Sequence, residues 1–187
     1  MLPPELAEVI RGFQASRAVL TAIELNVFTA VGDGATASDV AGRIEADPRA
    51  TEMLLNALVA LGFLEKRSDR FLNTSATWRY LSDASPESER LAWLHTVHQW
   101  ETWSNLTECV RRGTAVGAKH VQERADDWRQ AFIAAMERNA GERAPAVVQA
   151  LGVEGLERLL DVGGGSAAYS IAFARACPNL EADVVDL

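Results

Sequence analysis

The chain has 187 residues, 48% of them apolar, and its 26 acidic against 18 basic side chains give a formal charge of −8. That length allows one large domain or two small ones, and the acidic balance argues against a nucleic-acid binder, which needs a basic face. No run approaches the roughly 20 apolar residues of a membrane span, the start Met1-Leu2-Pro3-Pro4-Glu5 lacks the regions of a signal peptide, and Cys109 and Cys177 stand apart at no metal-type spacing; the expectation is a reduced cytoplasmic protein with a small-molecule or protein partner.

Pro3 and Pro4 stand where a helix can start, and Leu6, Val9, Ile10 and Phe13 fall on one face of a helix over 5–15. A second helical segment begins at Ser16. It is apolar around much of its surface, from Ala18 to Phe28, which predicts burial, often against another chain. Gly32-Asp33-Gly34 ends it.

Ser38 is read as the N-cap of a short helix over 39–45. Asp47-Pro48 opens another helix, carrying Met53, Leu54, Ala57, Leu58 and Leu61 and ending at Gly62. Residues 63–66 and 70–73 then read as a hairpin around Ser68-Asp69. Helix, turn, helix, hairpin is the winged-helix order, which serves either major-groove reading or dimerisation. Between Ser38 and Leu72 the basic residues are Arg43, Arg49, Lys66, Arg67 and Arg70, and the acids are Asp39, Glu45, Asp47, Glu52, Glu65 and Asp69. The second helix offers Arg49 and Thr51 but also Glu52. That balance disfavours DNA.

Residues 74–89 read as a short helix and a linker with its break at Asp83-Ala84-Ser85-Pro86. A long helical region over 86–112 carries Trp93, Trp100 and Trp103. Such aromatics are either core or the walls of a pocket for an aromatic substrate. His95 and His98 share a helix face, but no acid or cysteine completes a ligand set, so no metal site is expected. Gly113 closes this region and a loop runs to Val121. Residues 126–139 read as a helix with Trp128, Ala131, Phe132, Ala135 and Met136 on one side, followed by a separate helix over 142–151 after Gly141.

The last stretch is the most informative. A short strand, 159–162, enters Gly163-Gly164-Gly165; a helix over 169–177 and a strand over 181–185 follow, and then Asp186. Gly163 and Gly165 let the strand turn sharply and let a ligand approach the backbone with no Cβ in the way. Asp186, about 20 residues past the glycines, suits an acceptor for vicinal ribose hydroxyls. Nicotinamide, flavin and S-adenosylmethionine sites share those demands. Asp161 just before the glycines would repel a pyrophosphate and can receive a cationic group, which favours S-adenosylmethionine.

The segment from Leu160 to Ser166 resembles the first motif of class I S-adenosylmethionine-dependent methyltransferases, in the Asp-Val-Gly-Gly-Gly form of the small-molecule O-methyltransferases. Asp186-Leu187 is similar to that family's Asp-Leu at the end of the second strand. The run from Thr51 to Leu64 resembles its winged-helix dimerisation segment. Phe132-Ile133-Ala134-Ala135-Met136 resembles the helix whose aromatic and Met side chains line the substrate site. The resemblance implies a mainly α chain. A winged-helix dimerisation domain would occupy 1–85, a helical substrate-lining region 86–153, and the truncated βαβ start of a Rossmann-like domain 154–187. Asp161, Gly163, Gly165, Ser166, Asp186 and Leu187 would surround the cofactor, and Trp100, Trp103, Phe132, Met136 and Asn139 the substrate.

The resemblance also implies a homodimer through the N-terminal helices and methyl transfer to a hydroxylated, aromatic or polyketide-type metabolite. The general base would lie beyond Leu187, so none of His95, His98 and His120 inherits that role, and the isolated chain is expected not to methylate. Two residues depart from the pattern: Ala167 stands where the family usually has a third glycine, and Asn139-Ala140 where it often has His-Ser. A non-methylating tailoring role, in hydroxylation or decarboxylation, and a winged-helix transcription regulator are the alternatives.

Overall fold

The computed structural model describes residues 2–117 and 123–186, so the loop expected over 113–121 and His120 fall partly or wholly outside it. The chain forms two compact units, Met1–Gly117 and Ala118–Leu187. Among the described residues no helix is long and apolar enough to cross a membrane.

The first unit is helical around a small sheet. Helix α1 runs unbroken over Pro4–Glu24 with proline at its start, where two segments were expected; Ser16 lies exposed within it rather than at a boundary. Its second half buries Leu20, Ala22 and Ile23. Asn26 in a left-handed conformation turns the chain into α2, Val27–Val31, buried at every position but Thr29. Gly32, at φ 56°, stops it.

A two-residue strand β1, Ala35–Thr36, comes next, too short to show a period in the sequence. Helix α3 spans Ala37–Arg43, and its cap is Thr36, not Ser38. The Thr36 Oγ1 accepts from Asp39 N at 3.2 Å and donates to Asp39 Oδ2 at 2.8 Å, while Thr36 N donates to the same oxygen at 3.1 Å. Two end donors are thereby satisfied at once. These bonds, the hydroxyl's first, hold the Asp39 carboxyl below its ordinary value. Helix α4, Pro48–Ala60, is capped by Asp47, which accepts from Ala50 N at 2.8 Å.

Strands β2, Leu64–Arg67, and β3, Arg70–Asn73, form the expected hairpin, and β1 adds to β3 to give the antiparallel order β1-β3-β2. The core between these elements holds Phe28, Phe71, Leu55, Leu58, Val27, Val31 and Val40, all fully buried. Thr51 is buried at 3% exposure and is not on a face that could read a groove.

Helix α5, Ser75–Leu81, is capped by Thr74. The long helix expected over 86–112 is two, α6 (Arg90–Ser104) and α7 (Leu106–Arg112), divided at Asn105, and Gly113 ends the second in a left-handed turn. Arg90 fastens α6 to the start of the core: Nε donates to Asp83 Oδ1 at 2.9 Å and Nη1 to the Ile23 carbonyl at 3.0 Å. Trp93 and Trp100 pack against this core, and Trp103 is 65% exposed.

In the second unit, α8 is one helix of 26 residues, Asp126–Leu151, with Gly141 and Pro145 inside it, where two helices were expected. Pro145 lacks the N–H that would bond the Gly141 carbonyl, yet Ala131, Ala135 and Ala144 on both sides of Gly141 are buried, and α8 packs on α9. Tertiary packing outweighs the local cost. Strand β4 (Arg158–Val162), helix α9 (Ala168–Ala176) and strand β5 (Glu181–Val185) then form a parallel βαβ unit with Asp161 opposite Val184.

Candidate functional site

The glycine turn between β4 and α9 is built by backbone conformation. Gly163 and Gly165 sit at φ 74° and 54°, in the region glycine enters freely. Gly163 N donates to the Val185 carbonyl at 2.7 Å and Ala167 N to the Gly164 carbonyl at 2.8 Å, which close the turn against the sheet. A Cβ built on Gly163 meets nothing within 4 Å, so that glycine keeps open the space beside the turn. Gly164 has the opposite task. A Cβ there would stand 2.6 Å from Val184 Cγ1 and 2.8 Å from Asp161 Oδ2, so it lets the turn close on the second strand and on the carboxylate.

The two carboxylates at the strand ends are both held. Gly165 N donates to Asp186 Oδ2 at 2.6 Å. Ser170 Oγ donates to Asp161 Oδ2 at 2.6 Å. Asp186, expected as a ribose acceptor, therefore also closes the glycine loop.

These groups line one cavity of about 700 Å³ in the second unit, together with a face of α8, within the size range of small-molecule sites. Of the residues expected from sequence, Asp161, Gly163, Gly165, Ser166, Asp186, Phe132, Met136 and Asn139 line it. Leu187 lies outside the described residues. Trp100 and Trp103 belong to α6 in the first unit, and Trp100 also lies under the Arg17 guanidinium, 5.5 Å from its ring centre. The Phe132 ring is stacked on Trp128 with centroids 5.2 Å apart and planes at 9°, and Arg124 lies 5.0 Å over Trp128. That column fixes the Phe132 wall.

The structure adds lining residues that sequence reasoning missed: Arg129, Ile133, Ala140, Arg143, Gly164, Ala168 and Tyr169. Residues 129, 132, 133, 136, 140 and 143 follow a helical three-and-four spacing, and of these only Arg143 lies beyond Gly141, where the expected helix was divided. Ser170 was also missed; a serine inside a helix carries no mark of its partner.

Residues 7–83 match the family model described as the O-methyltransferase dimerisation domain, and residues 103–187 match the O-methyltransferase domain. The chain is 30% identical to the 3-hydroxy-5-methyl-1-naphthoate 3-O-methyltransferase of Streptomyces sahachiroi, over 99% of this chain and 55% of that protein. It is 29% identical to the tetracenomycin polyketide synthesis 8-O-methyl transferase of Streptomyces glaucescens, over 99% of this chain and 57% of that one. The structure of an O-methyltransferase family protein from Burkholderia thailandensis superposes with a TM-score of 0.83 at 28% identity, covering 98% of this chain and 57% of its own. The chain thus spans little more than half the length of these relatives.

Proposed function

Because the chain belongs to the O-methyltransferase family, we propose that it carries the cofactor-binding start of an S-adenosylmethionine-dependent O-methyltransferase acting on a small hydroxylated metabolite, aromatic or of polyketide type. The finer divisions read from the sequence belong to this proposal: a winged-helix pairing domain over 1–85, a substrate-lining region over 86–153, and the opening βαβ of a Rossmann-like domain over 154–187.

The observation that supports it best is that one cavity gathers the glycine turn, Asp161, Asp186 and the Phe132–Met136 face of α8. The donor set suits S-adenosylmethionine. Two carboxylates flank the turn, and Gly165 N, which could receive a phosphate at a helix start, is taken by Asp186. A pyrophosphate would meet negative charge there; a sulfonium compound with an amino group meets acceptors. The space kept clear beside Gly163 admits a ligand against the backbone.

Asp161 is assigned to the cofactor's cationic amino group and Asp186 to its ribose, with Gly163, Gly165 and Ser166 forming the floor. Leu187 keeps its sequence-based assignment beside the cofactor. Phe132, Met136 and Asn139 are assigned to the acceptor, with Trp100 and Trp103 as further substrate walls. When bound, the cofactor supplies an electrophilic methyl group. The chain's own contribution is alignment of the acceptor oxygen and exclusion of water. Neither His95 nor His98 is assigned the base that takes the hydroxyl proton. The Leu6–Phe13 face of α1 is assigned to pairing with a second copy.

Calorimetric titration with S-adenosylhomocysteine tests the cofactor assignment: saturable binding that Asp186→Ala weakens at least tenfold is expected, and heat-silent titration of the unsubstituted protein would remove it. Transfer of a labelled methyl group by the whole protein then separates methylation from the other tailoring reactions.

A further inference from the structure

We propose that Ser170 is a positioning residue of the cofactor site, holding the Asp161 carboxylate in place for the cationic amino group of the ligand. The inference rests on the S-adenosylmethionine reading above.

Ser170 is the third residue of α9 and is 3% exposed. A helical serine commonly returns its hydroxyl to a carbonyl one turn back. Here the hydroxyl instead leaves the helix and donates to Asp161 Oδ2 at 2.6 Å, a short bond to a carboxylate. The same oxygen lies 2.8 Å from where a Gly164 Cβ would be. The carboxylate is therefore held by the donated hydrogen, in a space that leaves no room for a side chain at position 164. The nearby loop donor Gly165 N is engaged by Asp186 at 2.6 Å.

A strand-end carboxylate without such a bond would sample rotamers and water, and a ligand would have to order it on binding. Fixing it beforehand removes that cost. With Oδ2 engaged by Ser170, Oδ1 is the oxygen offered to a cation. Ser170 itself touches no ligand in this account and acts through Asp161.

The test compares two ligands. S-adenosylhomocysteine carries the amino acid group; 5′-methylthioadenosine has the same nucleoside and thioether sulfur without it. Both are titrated calorimetrically into the full chain and its Ser170→Ala variant. Ser170→Ala is expected to weaken S-adenosylhomocysteine about tenfold, as for loss of a hydrogen bond to a charged acceptor, and to leave methylthioadenosine within about twofold. Equal weakening of both ligands would mean that Ser170 supports the turn as a whole, and overturns the proposal. So does unchanged affinity for both. If the unsubstituted protein binds neither ligand, the cofactor reading itself fails and takes this inference with it.

Discussion

Ala167 sits at φ 61° and ψ 24°, just before α9. That is the left-handed region, where a Cβ crowds the following carbonyl at a cost of roughly 1–2 kcal/mol and glycine escapes it. Ala167 stands where the family pattern usually has a glycine, and the structure places it at positive φ. Ala167→Gly should therefore stabilise the second unit by about 1 kcal/mol, after the greater freedom of glycine in the unfolded chain is deducted. Gly164→Ala should act the other way, by about 1–3 kcal/mol, since its Cβ would overlap Val184 and Asp161. Urea melts of the two variants check both signs. An Ala167→Gly protein no more stable than its parent would mean that the turn has another conformation. Gly163 and Gly165 were legible because a G-x-G spacing after a strand has a known backbone task. The need for Gly164 was not, because it comes from the Val184 and Asp161 side chains, which only the fold brings close to it.

The elements divide the same way. Capped and punctuated ones were legible: Asp47-Pro48 starts α4, Gly62 follows its end, and Ser68-Asp69 turns the hairpin. A local breaker misled where packing overrides it. Gly141 sits inside α8, so the helix was divided there and Arg143 lost from the site. In α6, His95 gives the element a pH dependence. Burial first, then the nearby His98, pushes the His95 imidazole below its ordinary 6.5. Gln99 Nε2 lies 3.0 Å from His95 Nε2, and the amide can donate only if that nitrogen is unprotonated. The folded state thus favours neutral His95. The unfolded chain binds the proton more readily, so stability is full above about 6.5 and falls as pH drops toward the lower folded value. The urea midpoint should be lower at pH 5.5 than at pH 7.5, and His95→Gln should shrink that difference. An undiminished pH difference in His95→Gln would assign it to other groups.

At the scale of the whole molecule, the first unit carries an exposed apolar face among its described residues. Leu6, Val9, Ile10 and Phe13 are 53%, 79%, 65% and 58% exposed, and they recur at the spacing of one helix face. The buried positions of α1 begin only at Leu20, so its first half projects beyond the core. The same unit carries an apolar groove of about 630 Å³ lined by Val19, Leu20 and Ile23 of α1, Phe63, Leu81 and Trp93. In the proposed pairing, the projecting stripe and the apolar groove are the two surfaces that a two-fold interface would match, each copy giving what the other receives. The match of residues 7–83 to a dimerisation domain supports the same assignment. Placing a carboxylate at Val9 and another at Phe13 puts two charges where apolar burial, at about 1.5–3 kcal/mol per side chain, would hold the pair together. The double variant Val9→Glu, Phe13→Glu should lose at least about a hundredfold in dimer affinity and sediment as a monomer at micromolar concentration. Its second unit should keep its affinity for S-adenosylhomocysteine, because every residue lining that cavity comes from 129–186. A variant that still sediments as a dimer would move the interface off α1, whatever the groove holds.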